Sequence, residues 1–139
     1  MREACLGRFD HVGVAVADLE LAVETYVRSL GAVAEAETFE DPMQQVRIRF
    51  LNLGGMRIEL LQPDTERSPL HNLLKRGIGI YHVCHEVDDL DAELERLKAE
   101  GVKVVSPPKP AVAFGNRRVA FTMCQGLMVE LLEAEGSTR

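Results

Sequence analysis

"HVGVAVADL", residues 11–19, and "HVCHEVDDL", residues 82–90, are two versions of one segment. Five of the nine positions are identical, and the copies are offset by 71 residues (82 − 11), about half of the 139-residue chain. A segment that recurs at such an offset indicates an internal duplication. The sequence therefore predicts two copies of one structural unit.

The first copy contains the signals of one strand, one helix and three further strands. The valine-rich run from Phe9 to Ala17 predicts a buried strand. Asp18 is a typical N-cap, and apolar residues then follow at helical spacing up to Gly31, which can end a helix. The remaining strands are predicted from "AVAEAETF", "QVRIRFLNL" and "MRIELL", with Gly54-Gly55 as a hairpin between the last two.

The second copy repeats this order. "IYHVCHEV" predicts the strand, Asp89 the cap and Gly101 the helix end, and the later strands are "VKVV", "RRVAFTM" and "LMVELL". The segment "SPLHNLLKRG", with Ser68 as N-cap and Pro69 as first helical residue, predicts a linking helix over about 68–76. We therefore predict an α+β fold of two tandem βαβββ modules, about 8–63 and 79–133. They are expected to form one pseudosymmetric domain (8–133) whose curved mixed sheet surrounds a metal cleft.

Composition excludes several classes of partner. The chain is 46% hydrophobic with a formal charge of −6 and scattered basic residues, so nucleic acid is a poor candidate. No apolar run is long enough to span a bilayer, and the N-terminus lacks the apolar core of a signal peptide. The cysteines are Cys5, Cys84 and Cys124, an odd number without C-x-x-C spacing, which favours neither a disulfide framework nor a zinc knot. We expect a cytoplasmic protein.

Four residues able to bind a metal recur in register. The closing strands "IELL" and "VELL" carry Glu59 and Glu130, which are also 71 residues apart (130 − 59). His11 and Glu59 of the first copy thus match His82 and Glu130 of the second. Two imidazoles and two carboxylates form a mixed nitrogen and oxygen site for Zn, Co, Ni, Mn or Fe(II). An octahedral ion would keep two positions open for a chelating substrate.

Taken singly, these residues have other interpretations. Each histidine alone is more typical of a hydrogen-bonded strand residue. Arg57 and Glu59 alternate with apolar residues, which is the pattern of a half-exposed strand. Glu130 differs because its neighbours on both faces are apolar, so its carboxylate needs a strong partner such as a cation.

The remaining polar candidates are less persuasive. His85 should point to the opposite face from His82 and serve packing or hydrogen bonding, and Cys84 is predicted to be a buried thiol. His71 is expected to be exposed on the linking helix. Arg47 and Arg49 fit a solvated strand face, or less readily the recognition of an anionic substrate.

The segments "DHVGVAVADL", "RIELLQP", "IYHVCHEVDDLD" and "LMVELLE" resemble the vicinal oxygen chelate superfamily. That superfamily includes glyoxalase I, extradiol dioxygenases, fosfomycin-resistance enzymes and methylmalonyl-CoA epimerase. The similarity is greatest to the methylmalonyl-CoA epimerase family, in "GGMRIELLQP" and in "SPLHNLLKRG" followed by "GIYHV". It covers roughly residues 9–133.

The resemblance implies metal ligands at His11, His82 and Glu130, with Glu59 where members carry Gln or Glu. It also implies a homodimer that epimerises the carbon between a thioester and a carboxylate, using one divalent ion per chain. Glu130 and Glu59 are then the available acid–base pair. Some epimerases carry an acid on the strand written here as "QVRIRF", where this chain has Val, Arg and Ile.

Three alternatives stay open from the sequence. A lyase or thiol transferase of the glyoxalase or fosfomycin-resistance type would use the same metal on a smaller substrate. An extradiol dioxygenase would bind Fe(II) through His11, His82 and Glu130. A metal-free resistance protein would use the fold only to line an apolar cleft that binds a small molecule.

Overall fold

The computed structural model describes residues 6–136. Contacts divide the described chain into two compact units. The first unit is His11–His82, and the second consists of residues 6–10 and 83–136. Cys5 and the last three residues lie outside the described residues. The single domain expected over 8–133 stays a prediction.

The first unit follows the order βαβββ. Its elements are β1 (Arg8–Ala15, which begins in the second unit), α1 (Leu19–Leu30), β2 (Val33–Asp41), β3 (Val46–Leu53), β4 (Met56–Pro63) and the short helix α2 (Leu70–Lys75). The strand order is β2-β3-β4-β1, with β1 parallel to β4 and the other pairs antiparallel. Asp18 caps α1, since its side chain accepts a hydrogen bond from the Leu21 N–H, and Gly31 ends the helix at φ 72°.

The second unit repeats the order. Its elements are β5 (Ile80–Val87, which begins in the first unit), α3 (Leu90–Ala99), β6 (Lys103–Pro110), a 3-10 turn (Val112–Phe114), β7 (Arg118–Cys124) and β8 (Leu127–Glu133). Its strand order is β5-β8-β7-β6, with β5 parallel to β8. Asp89 caps α3 by accepting from the Ala92 N–H. The α+β class and the duplicated βαβββ order are confirmed.

The duplication extends to strand register. In the first unit Gly13 of β1 lies opposite Glu59 of β4, and in the second unit Cys84 of β5 lies opposite Glu130 of β8. Both members of these pairs are offset by the same 71 residues (84 − 13 and 130 − 59). Each closing glutamate therefore occupies the same register position within its own unit.

The helix of each unit covers one face of its sheet. Leu19 of α1 packs with Ile58 and Leu60 of β4, which leaves Glu59 on the opposite face. Leu90 and Leu94 of α3 pack with Val129 and Leu131 of β8 in the same way, so Glu130 also faces away from its helix. Glu59 and Glu130 thus each lie on the face of their strand that the helix of the same unit does not cover.

The linking helix is shorter than predicted. It begins at Leu70 rather than near Ser68, and Pro69 is its N-cap residue without a side-chain hydrogen bond. The Ser68 hydroxyl instead accepts from the Leu70 N–H at 3.4 Å. A six-residue helix has few internal hydrogen bonds to define its ends. Its observed boundaries therefore differ by a residue or two from those predicted by the sequence.

No helix within residues 6–136 is long and apolar enough to cross a membrane.

Candidate metal centre

Three of the four predicted ligands lie together in the first unit. His11 is on β1, Glu59 is on β4, and His82 is on the first part of β5. Because β1 and β4 run parallel with Gly13 opposite Glu59, His11 and Glu59 project from the same face of the sheet.

The ligand atoms of these residues form a nearly equilateral triangle. The Glu59 Oε1 lies 3.1 Å from His11 Nε2 and 3.2 Å from His82 Nε2, and the two Nε2 atoms are 3.2 Å apart. Three ligands on one face of a metal ion make a triangle with such edges when the bonds are about 2.0–2.2 Å long. The spacing therefore fits a divalent ion held by two imidazoles and a carboxylate.

Burial makes a cation the natural partner for this cluster. His11, Glu59 and His82 are 0%, 3% and 1% exposed. A carboxylate in such a place costs much free energy unless a positive group compensates it, and an imidazole does so only when it is protonated. An ion shared by all three side chains would provide that charge.

Two neighbours fit closely around the histidines. A Cβ atom at position 13 would overlap the imidazole ring of His82, so glycine at this point of β1 leaves the space that the ring occupies. The ring of His11 meets the edge of the Phe50 ring, with the centroids 5.6 Å apart and the planes at 77°.

Glu130, the fourth predicted ligand, lies on β8 in the second unit and is 2% exposed. Its burial agrees with the apolar residues on both sides of it in sequence. Its service as a ligand stays a prediction.

The half-exposed interpretation of Glu59 was wrong. Ile58 and Leu60 on one face of β4 are buried, but so are Glu59 and Leu61 on the other. Both faces of β4 are therefore buried around Glu59, and the alternation of polar and apolar residues does not mark an exposed face.

The other candidates lie outside the cluster. His85 is hydrogen-bonded, with Nδ1 3.2 Å from the Gly7 carbonyl oxygen, and Cys84 is buried, as predicted. His71 is half-buried rather than exposed, since its Nε2 lies 2.9 Å from the Thr65 carbonyl oxygen.

The two arginines of β3 belong to the outer surface of the first unit. Arg47 forms an ion pair with Glu20 of α1 at 2.7 Å, and this hydrogen bond lowers the pKa of the Glu20 carboxyl. Arg49 donates to the backbone carbonyl of Glu35. These contacts favour the solvated strand face over the recognition of an anion.

The sequence reasoning missed Phe50 and Phe121. In the first unit Phe50 of β3 lies directly opposite Glu59, and in the second unit Phe121 of β7 lies directly opposite Glu130. These phenylalanines are themselves 71 residues apart (121 − 50), so the offset of the histidines and glutamates would have found them.

Comparison with known families places the chain. Residues 10–121 match the family described as the glyoxalase/bleomycin resistance protein/dioxygenase superfamily. The chain belongs to this superfamily.

Within the superfamily the chain is similar to epimerases of acyl-CoA thioesters. It is 37% identical over 131 residues to an ethylmalonyl-CoA/methylmalonyl-CoA epimerase of Cereibacter sphaeroides, covering 91% of this chain and 97% of that protein. The methylmalonyl-CoA epimerase structure from Mycobacterium tuberculosis superposes with a TM-score of 0.82 at 34% identity, covering 97% and 93%. A methylmalonyl-CoA epimerase in complex with methylmalonyl-CoA and NH4+ gives 0.80 at 28% identity, covering 96% and 98%.

The cluster predicts a measurable affinity for divalent ions. After treatment with a chelator, the protein is expected to bind about one Co(II) per chain, and its thermal midpoint should rise with Co(II) concentration. His82→Ala should weaken binding at least about 10-fold, because it removes one corner of the triangle.

The matched control is His71→Ala, which removes a half-buried histidine bonded to a backbone carbonyl outside the cluster. Isothermal titration calorimetry of both variants separates the cases. Equal Co(II) affinity in the two variants would exclude His82 as a ligand.

Proposed function

We propose that this protein is a metal-dependent epimerase that inverts the α-carbon of methylmalonyl-CoA or a related acyl thioester. The observation that carries the proposal is the buried triangle of His11, Glu59 and His82, with edges of 3.1–3.2 Å. The ion is one of Co, Zn, Ni, Mn or Fe, since all of them accept imidazole and carboxylate ligands.

Glu130 is the proposed fourth ligand. It repeats Glu59 at the offset of 71 residues, occupies the same register opposite a phenylalanine, and faces away from its helix as Glu59 does. It is also buried, and a buried carboxylate requires a positive partner.

The relatives support the reaction class. The Cereibacter protein is named as an epimerase of ethylmalonyl-CoA and methylmalonyl-CoA, and it matches 91% of this chain. A structure that superposes on 96% of the chain contains methylmalonyl-CoA. An acyl thioester with a carboxylate on its α-carbon is therefore the proposed substrate.

The side chains have separate tasks in this reaction. A bound divalent ion supplies Lewis-acid stabilisation of the negative charge that develops on the thioester oxygen. His11 and His82 would hold the ion through their imidazole nitrogens. Glu59 and Glu130 are the proposed acid–base pair, one removing the α-proton and the other returning a proton to the opposite face. A carboxylate has two oxygens, so ligation through one leaves the other able to carry a proton.

The face of β3 next to Glu59 offers no acid to replace either glutamate. Val46, Ile48 and Phe50 occupy that face and are all buried. Their apolar surface excludes water from the side of Glu59, which strengthens the electrostatic interactions there. The proposed acid–base pair is therefore Glu59 and Glu130 rather than a residue of β3.

The proposal extends to the setting of the enzyme. Within residues 6–136 neither Cys84 nor Cys124 is part of a disulfide, which suits a reducing cytoplasm. A homodimer is the proposed assembly, by resemblance to the epimerase family. Sedimentation velocity tests it, and a monomer at micromolar concentration would contradict it.

Exchange of the α-proton tests the reaction directly. The Co(II)-loaded protein in D2O is expected to incorporate deuterium into methylmalonyl-CoA, and removal of the metal should abolish incorporation. Glu130→Gln should slow incorporation about 100-fold or more, because it removes a proton-transfer group. Mass spectrometry of the recovered thioester measures the effect.

Glu95→Gln serves as the control, because it makes the same chemical change on an exposed face of α3. Incorporation that survives Glu130→Gln undiminished would contradict the role of Glu130. A wild-type protein that loads Co(II) but incorporates no deuterium would contradict the proposed reaction.

A further inference from the structure

We propose that Phe50 positions the metal ligands His11 and Glu59, and that Arg57 with Glu35 holds the Phe50 ring in place from the outer side. The inference deepens the proposed function and rests on it. Phe50 and Arg57 are positioning residues in this account, since neither belongs to the ligand triangle.

Phe50 neighbours the two proposed ligands on β1 and β4, His11 and Glu59. It lies directly opposite Glu59 in the antiparallel ladder of β3 and β4, so the two side chains are neighbours on one face. Its ring also packs edge to face with the imidazole of His11, at 5.6 Å between centroids. Phe50 is 0% exposed, which restricts the ring to one place. A fixed ring limits how far His11 and Glu59 can turn.

Arg57 also contacts the Phe50 ring. Its guanidinium carbon lies 3.9 Å from the ring centroid, well within the range of a cation–π interaction. Arg57 is two residues before Glu59 on β4 and therefore shares its face. The charged group thus lies on the face of β4 that carries Glu59, without being one of the three ligands.

Glu35 of β2 fixes the guanidinium. It accepts two hydrogen bonds from Arg57, from Nε at 2.8 Å and from Nη2 at 3.0 Å. This bidentate geometry orients the planar guanidinium over the ring. The side chains of Arg57 and Glu35 are 32% and 47% exposed, so the pair lies at the outer edge of the arrangement.

The second unit carries the phenylalanine but not the arginine. Phe121 lies opposite Glu130 as Phe50 lies opposite Glu59, whereas the residue at the position of Arg57 is Met128 (57 + 71). A phenylalanine across from each glutamate is therefore common to both units. At this position the first unit carries an arginine and the second a methionine.

The test compares variants of the full chain by their affinity for Co(II), by the visible absorption of bound Co(II), and by their thermal midpoint in chelator. Phe50→Leu removes the ring but keeps an apolar side chain. Arg57→Met removes the cation, and Arg57→Lys keeps one. Arg49→Met is the matched control, because Arg49 also contacts Glu35 but lies on the opposite face of β3 from Phe50.

Phe50→Leu is expected to weaken Co(II) binding about 10-fold or more, as for other residues that orient metal ligands, and to change the absorption spectrum of bound Co(II). Arg57→Met should shift both quantities in the same direction by less, and Arg57→Lys should recover part of the loss. Arg49→Met should stay within about twofold of the wild type, as for a surface substitution.

Affinity and spectrum separate positioning from simple packing, because a residue of the core alone would move only the thermal midpoint in chelator. If Phe50→Leu fails to fold, the arginine variants decide, since they leave the ring in place. Wild-type affinity in Arg57→Met, or equal losses in Arg57→Met and Arg49→Met, would overturn the proposal while the metal site stands. A wild-type chain that binds no Co(II) would overturn the metal site together with the proposal.

Discussion

The structure depends on a carboxylate and two imidazoles that meet in a dry interior. Glu59, His11 and His82 approach within 3.1–3.2 Å at 3% exposure or less. A buried carboxylate needs a compensating charge, and a metal ion bound by all three side chains would supply it and use the nitrogen lone pairs. Three features of the first unit surround these side chains: the parallel pairing of β1 with β4, the absence of a side chain at Gly13, and the ring of Phe50.

The duplicated unit explains how one short chain builds such an arrangement. In each unit the helix covers one face of the sheet, and strand alternation then sends the closing glutamate to the other face. Register adds a phenylalanine opposite each glutamate. The units differ at two places near these residues, since Gly13 corresponds to Cys84 and Arg57 to Met128. The epimerase relatives use the same fold over nearly the whole chain.

Local signals in the sequence predicted most of the fold, because Asp18, Asp89 and Gly31 mark helix ends through short-range hydrogen bonds and backbone geometry. The offset of 71 residues indicated four candidate ligands, and the structure brings His11, Glu59 and His82 together in the first unit. The sequence of β4 did not predict the burial of Glu59. Alternating polar and apolar residues show which side chains share a face, but not whether the polar face is covered by other residues. The support of Phe50 by Arg57 and Glu35 depends on contacts between β2, β3 and β4, which spacing along one strand does not contain.

X-ray absorption at the cobalt edge of the Co(II)-loaded protein tests the central claim most directly. The account predicts a first shell of nitrogen and oxygen at about 2.0–2.2 Å, with the outer-shell scattering of two imidazole rings. In His11→Ala the outer-shell scattering of one imidazole ring should be lost. A spectrum without imidazole scattering, or one that is the same in the wild type and in His11→Ala, would contradict a metal ion held by these residues.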